Sequence, residues 1–370
     1  MNTLFAFIID NIYILFAVLA FGILIAVHEL GHFFAAKAMG VRVLEFAIGM
    51  GPKLIKIQGK ETIYTLRALP LGGFCAMDGQ DETMDDPRAF TSKKRWRRVV
   101  ILLAGSIMNL IVAFIIVSII TAGATGFRGT TLTHLDEDFP NKGEHGLMVG
   151  DTIVSINGDR LFYMQDFSMF MQLAELTGNR EVDLVIRRDG ETITLNNFPM
   201  ERRPFINEDG ETEYLFGVSF DVIEATFVER ARFSVYTTMN FVRMIRVSLI
   251  QLFSGNVGIE GVSGVVGIVD AMNNMGREAP TFREAIGSIA LITAFIGVNL
   301  AVMNLLPIPA LDGGRILFII ISWFIEKIIK RQLDPKYEGY IHTGAMVLLL
   351  GFMVVILYVD IARIVERVGS

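Results

Sequence analysis

The stretch Ala26-Val27-His28-Glu29-Leu30-Gly31-His32 decides how the chain is read, because it sets three ionisable side chains inside an apolar run covering residues 8–36. That run exceeds the roughly 20 helical residues needed to cross about 30 Å of hydrocarbon. Side chains four apart on a helix share a face, so His28 and His32 can grip one metal ion. Glu29 stands one step round the helix and can reach a water on that metal as a general base. Ionisable groups inside a span are costly, so function is the default reason for their presence. The plainer alternative is a pair of histidines bonded to neighbouring helices.

Three further runs, 99–122, 285–307 and 343–361, are long and apolar enough to span. The nine apolar residue types make up 52% of the 370 residues without counting Gly, and charged residues only 19%. Both values point to a membrane protein. No Lys or Arg precedes Lys37, so the first run has no basic n-region and reads as a span rather than a signal peptide. The only cysteine, Cys75, rules out an intrachain disulfide. A net charge of −6 argues against a nucleic-acid partner.

Charge orients these spans. Residues 33–98 carry twelve Lys or Arg against seven Asp or Glu, and the cluster Lys93, Lys94, Arg95, Arg97 and Arg98 abuts the second run. Arg315, Lys327, Lys330, Arg331 and Lys336 lie between the third and fourth runs. Short basic loops stay inside, so 33–98 is expected to be cytoplasmic, with both termini and the long segment 127–284 outside.

A catalytic zinc needs a third protein ligand and an open position for water. Asp312 is the candidate: it follows the third run in Asn299-Leu-Ala-Val-Met-Asn304-Leu-Leu-Pro307-Ile-Pro309-Ala-Leu-Asp312-Gly313-Gly314-Arg315. The two glycines let backbone approach closely. His32 and Asp312 both sit at the expected cytoplasmic ends of their spans, so their depths agree. The alternative for Asp312 is a cap for the helix that follows it. Asn299 and Asn304 offer donor and acceptor groups to a substrate helix that must unwind in low dielectric to be cut. Their alternative is polar glue between helices.

HELGH in a first span with NLLPIPALDGGR after a third resembles the site-2 protease family of intramembrane zinc metalloproteases, of the bacterial RseP type. The resemblance covers nearly the whole chain. It implies Zn2+ held by His28, His32 and Asp312, with Glu29 activating water. It also implies a substrate-binding stretch of Asn299, Asn304, Pro307 and Pro309, the prolines breaking the helix end. The activity implied is regulated intramembrane proteolysis in the bacterial cell membrane. Its substrates would be single-span proteins already trimmed outside, such as anti-sigma factors, or remnant signal peptides.

The fold class expected is a membrane α-helical bundle of about four transmembrane helices, with a membrane-associated β-hairpin and an inserted α+β PDZ domain. Segments 1–36, 99–122, 285–315 and 343–361 are the spans, with HExxH in the first and Leu-Asp-Gly in the third. In the inner loop 37–98, residues 53–58 and 61–67 read as strands joined at Gly59-Lys60, flanked by Gly49, Gly51, Gly72 and Gly73. An open edge there could add a substrate as an extra strand. Residues 127–220, outside, resemble one PDZ domain on the strength of Gly146-Leu-Met-Val-Gly-Asp151-Thr-Ile-Val-Ser-Ile-Asn157-Gly158. Its helix would cover 166–176 and its hairpin 182–188 with 192–195, and a size-filtering role is favoured. In 221–284, the helix 224–253 carries Arg230, Arg232, Arg243 and Arg246 among apolar residues and suits the outer membrane surface. Ser106 and the stretch Gly264-Val265-Val266-Gly267 depart from the family pattern, which often has proline there. A metal transporter and a non-catalytic scaffold are the competing classes. The first would need more polar residues across the spans, and the second would not need Glu29.

Overall fold

The structure is a computed structural model that describes residues 12–80, 86–178, 180–206, 212–256, 258, 263–330 and 336–369. Residues 8–11 of the first apolar run, and Asp81, Glu82, Asp85 and Arg331 of the basic loops, lie outside the described residues. The chain divides into two units, one of residues 1–120 with 241–370 and one of residues 121–240.

Among the described residues, four helices are long and apolar enough to cross a membrane: α1 (Ile12–Ala38), α2 (Arg95–Thr121), α6 (Phe282–Leu305) and the window Gly339–Glu366 of α8 (Lys336–Gly369). Large apolar side chains face outward along them, among them Ile23, Ile119, Leu348 and Val354. In water such faces would be a liability; in hydrocarbon they are the solvent-facing surface. Between them lie α4 (Phe227–Phe253), α5 (Val265–Glu278) and α7 (Asp312–Ile329). Segment 221–284 thus holds two helices where one was expected. Segment 285–315 is not one helix either: α6 stops at Leu305 before Pro307 and Pro309, and Asp312 opens α7, an 18-residue helix. Proline cannot donate to the helix ladder, which is why the chain turns there.

The core of the first unit joins the helices by apolar stripes. Ala17, Phe21 and Leu24 of α1 pack with Met272 of α5 and Ile289 and Ile296 of α6. Ala113 and Val117 of α2 pack with Phe241 and Ile245 of α4 and Ala294 and Val298 of α6. The C-terminal half of α4 is therefore packed on helices rather than only laid on a surface. The α8 helix is anchored differently. Its described buried residues are His342, Ile356 and Asp360. The Asp360 carboxylate accepts from the Gly264 and Gly267 N–H groups at 3.2 and 2.8 Å, capping α5. A Cβ on Gly267 would fall 2.7 Å from the Asp360 Oδ1, so the two glycines make room for this carboxylate.

Strands β1 (Val43–Gln58) and β2 (Ile63–Met77) are longer than the expected hairpin and fold back on themselves. Residues 45–48 pair on one side with 63–66 and on the other with 73–76, while 53–58 pair only with 63–67. The result is a four-row ladder with 73–77 at one edge. Gly49, which has φ +85°, allows the fold-back; a Cβ there would meet the Leu69 carbonyl oxygen at 2.5 Å. The rows 43–48 and 73–77 pack Val43, Phe46, Cys75 and Met77 against Ala36, Ile101, Leu102 and Ile319. The outer row leaves Leu54, Ile55 and Ile57 exposed beside Lys53 and Lys56.

The second unit holds a sheet ordered β10 (Val218–Glu224), β3 (Gly126–Leu135), β4 (Thr152–Ile156), β6 (Glu181–Arg188), β7 (Glu191–Pro199), with β5 (Asp159–Arg160) also on β4. Helix α3 (Met164–Leu176) lays Phe167, Phe170 and Met171 on a core of Leu132, Ile153, Ile156, Leu184, Ile186 and Phe220. Strands β8 (Arg203–Ile206) and β9 (Thr212–Leu215) form a separate hairpin. Buried Asp151 takes a two-pronged salt bridge from Arg188, both contacts at 2.7 Å. That carboxylate holds the Arg188 guanidinium above its already high ordinary value.

Candidate metal centre and active site

His28 and His32 lie one turn apart on α1, and both are buried. Their partner, Asp312, comes from the first turn of α7, 280 residues on from His32. Three atoms meet there. His28 Nε2 lies 3.2 Å from Asp312 Oδ2, His32 Nε2 lies 3.1 Å from the same oxygen, and the two ring nitrogens are 3.1 Å apart. Among the described residues, this is the one cluster of three such groups that could hold an ion.

Close approach of α1 and α2 builds the histidine half. A Cβ on Gly31 would lie 2.3 Å from the Ala104 carbonyl oxygen, and one on Gly105 would lie 2.5 Å from His32 Nε2. Only glycines at these two positions leave the imidazoles their space. Nearby, His32 Nδ1 sits 2.8 Å from the Ile101 carbonyl oxygen. A carbonyl can only accept, so Nδ1 carries the proton and Nε2 presents a lone pair.

Asn109 of α2 performs the same task for His28. Its side-chain amide lies 3.4 Å from His28 Nδ1, and its Oδ1 is otherwise buried without a partner. With the amide oriented so that Oδ1 faces the ring, it accepts the Nδ1–H of His28. His28 Nε2 then also presents a lone pair. Neither ring can donate from Nε2 without taking a second proton, so a cation suits the centre of the triangle.

The donor set fits zinc. Ligand atoms on a tetrahedral zinc at 2.0–2.1 Å stand about 3.3–3.4 Å apart. The three separations here, 3.1–3.2 Å, come within about 0.3 Å of that spacing. Two imidazoles and a carboxylate are a set that leaves a fourth position open.

A cavity of about 430 Å³ opens on this triangle. Glu29, Asn304, Ala310 and Leu311 line it, together with Phe74, Cys75, Ala76 and Met77 from the edge row of the ladder. Glu29 lies along Gly73, where a Cβ would come within 3.5 Å of its Cγ. Asn304 Nδ2 reaches to 3.5 Å from His28 Nε2. Asn299 is one helical turn and more away and is not part of the cavity wall, nor are Pro307 and Pro309. Pro309 instead lies against α7: a Cβ on Gly314 would be 2.8 Å from its Cα. Asn109 and Arg315 line the cavity without having been read as site residues in the sequence. A polar residue in the middle of the second apolar run was the available signal for Asn109.

Comparison with known proteins agrees in extent with this site. The profile of peptidase family M50 matches residues 16–352. A protein of Clostridium acetobutylicum that bears the name zinc metalloprotease is 37% identical over 94% of this chain and 97% of its own length. A zinc metalloprotease so named in Clostridium perfringens is 36% identical over 94% of this chain and 98% of its own. The regulator of sigma-W protease RasP of Bacillus subtilis is 26% identical over 98% and 99%.

Proposed function

The chain belongs to peptidase family M50, the site-2 protease family, and from that premise we propose that His28, His32 and Asp312 hold its zinc and that Glu29 is its general base. That it is a zinc metallopeptidase of the membrane follows from the family and from the four apolar helices. The near-equilateral triangle of two ring nitrogens and one carboxylate oxygen carries the finer reading.

Bound there, zinc supplies Lewis acidity toward a substrate carbonyl and brings water toward ionisation near neutral pH. The chain's own residues do the rest. Glu29, on the cavity wall beside His28, takes the proton of the attacking water and returns it to the leaving amine. Asn304 offers its amide to backbone groups that a substrate frees on unwinding. The edge row 73–77, which lines the cavity, offers a strand edge to an extended substrate, a mode that tolerates many sequences. Asn299, Pro307 and Pro309 complete the proposed substrate-binding stretch, the two prolines lying just past the end of α6 at Leu305.

The substrates proposed are transmembrane segments of single-span proteins, anti-sigma factors or remnant signal peptides among them. The site faces the cytoplasmic side, and 127–220 is a PDZ domain outside that excludes bulky ectodomains. Replacing 127–220 by a flexible linker should let a substrate with a large folded ectodomain be cut. If the shortened enzyme, active on short substrates, rejects bulky ones as before, the filter lies elsewhere.

The decisive experiment is metal analysis beside a cleavage assay. Wild type should carry one zinc per chain, and His28→Ala/His32→Ala little. Glu29→Gln should keep its zinc and lose cleavage by at least about 100-fold, the range of a positioned acid–base group. Stoichiometric zinc in the double variant, or near-normal turnover by Glu29→Gln, would overturn the assignment.

A further inference from the structure

The loop between α6 and α7 carries an unusual residue two places before Asp312. Ala310 has φ +78°. The other described non-glycine residues at positive φ are Asn141, Asn157, Asp189, Asn197 and Lys330. Asn and Asp tolerate that region by bonding their own backbone, and Lys330 ends a helix. Alanine has no such help, and its Cβ is crowded there. Something outside the loop must hold it.

The loop's amides show what does. Leu306 N–H donates to the Met303 carbonyl, Ile308 N–H to Leu306 and Leu311 N–H to Ile308. Pro307 and Pro309 have no N–H. Ala310 N–H alone leaves the loop, and it donates to His342 Nδ1 of α8 at 2.8 Å. His342 is buried and is one of the few polar side chains by which α8 meets the rest of its unit. A freed amide at membrane depth needs a partner, and this imidazole is the one present.

We propose that His342 is a positioning residue for the metal site: its Nδ1 pins the Ala310 peptide in the left-handed region, and that peptide sets where the Asp312 carboxylate stands against His28 and His32. Ala310, Leu311 and Asp312 all line the cavity, so a relaxed Ala310 moves both the ligand and the wall. The inference rests on Asp312 being a zinc ligand. It adds that the last helix, which supplies no ligand, governs the third one.

The test uses the full-length enzyme in lipid nanodiscs, a single-span model substrate, and zinc retention against rising concentrations of a chelator. The oxygen of an Asn side chain can take the place of Nδ1, whereas that of Gln lies a bond further out. His342→Asn should cleave at least ten-fold faster than His342→Gln and should keep zinc to at least ten-fold more chelator. Ala310→Gly tolerates positive φ without a tether, so His342→Gln/Ala310→Gly should recover most of what His342→Gln loses. Melting temperature should not follow these differences. Equal behaviour of the Asn and Gln variants, or no recovery on adding Ala310→Gly, would overturn the proposal. Asp312→Ala is measured alongside. If it keeps stoichiometric zinc, the ligand assignment itself falls; if it loses zinc while the His342 variants match wild type, only the positioning role does.

Discussion

Each histidine has one polar neighbour at the ring nitrogen that faces away from the centre. For His32 that neighbour is a backbone carbonyl at Ile101, which no substitution alters. For His28 it is the side chain of Asn109, which can be changed. Asn109→Leu should therefore free the His28 ring to turn and to bind its proton on the wrong nitrogen. Removing such a partner typically costs ten- to a hundred-fold in metal affinity. Zinc retention by Asn109→Leu against a chelator should fall by about ten-fold or more, while Asn109→Asp, which keeps an acceptor, should lose less. Equal retention in both variants would argue that Asn109 fills space and nothing more. At this scale the sequence was most legible where spacing is local. HExxH needs only a helix for its geometry. Asn109 and His342 act across 81 and 32 residues, and no periodicity announces such partners.

Elements were read less evenly than residues. Apolar length marks a span reliably, since hydrocarbon thickness is fixed. The same signal blurs α7, whose 18 residues include Asp312, Arg315, Glu326 and Lys327 and follow two prolines. The strands around Gly59-Lys60 were visible from β-branched alternation, but the fold-back at Gly49 that creates the edge row was not. Turns at positive φ depend on which glycines are used, not on how many are present. The ladder makes its own prediction. Burial in β1 would raise the Glu45 carboxyl, but hydrogen bonds from Arg67, Thr65 and Lys53 outweigh it and hold the group at about 2. A carboxyl held below its ordinary value of 4.5 stabilises the fold above that value and loses the contribution as pH falls toward 2. Melting temperature of wild type should drop more steeply than that of Glu45→Gln between pH 5 and about pH 3. Parallel curves would show that the cluster contributes nothing to stability.

For the whole molecule, sidedness decides where products leave. By the positive-inside rule, the basic cluster before α2 leads us to expect the β1–β2 ladder inside the cell and 127–220 outside. Cys75 cannot report this, because its thiol is buried in the ladder and the reagent would miss it on either side. Introduced cysteines at exposed Lys60 and Ser168, in a Cys75→Ala background, can. A membrane-impermeant thiol reagent on intact cells should label the cysteine at 168 and spare the one at 60. The reverse pattern would invert the orientation and with it the side on which products leave.

The anchoring of α8 bears on how the enzyme is made. Translation proceeds from the N-terminus, so His28, Glu29 and His32 emerge early and Asp312 280 residues after His32. The groups that cap α5 and tether Ala310, Asp360 and His342, are carried by α8 and are made later still. A nascent chain therefore holds its histidines in the bilayer, among other newly inserted helices, long before the loop bearing Asp312 has its tether. If Asp312 is the third ligand, the cutting site would gain its tether only once α8 has been made, so the order of synthesis would itself delay hydrolysis.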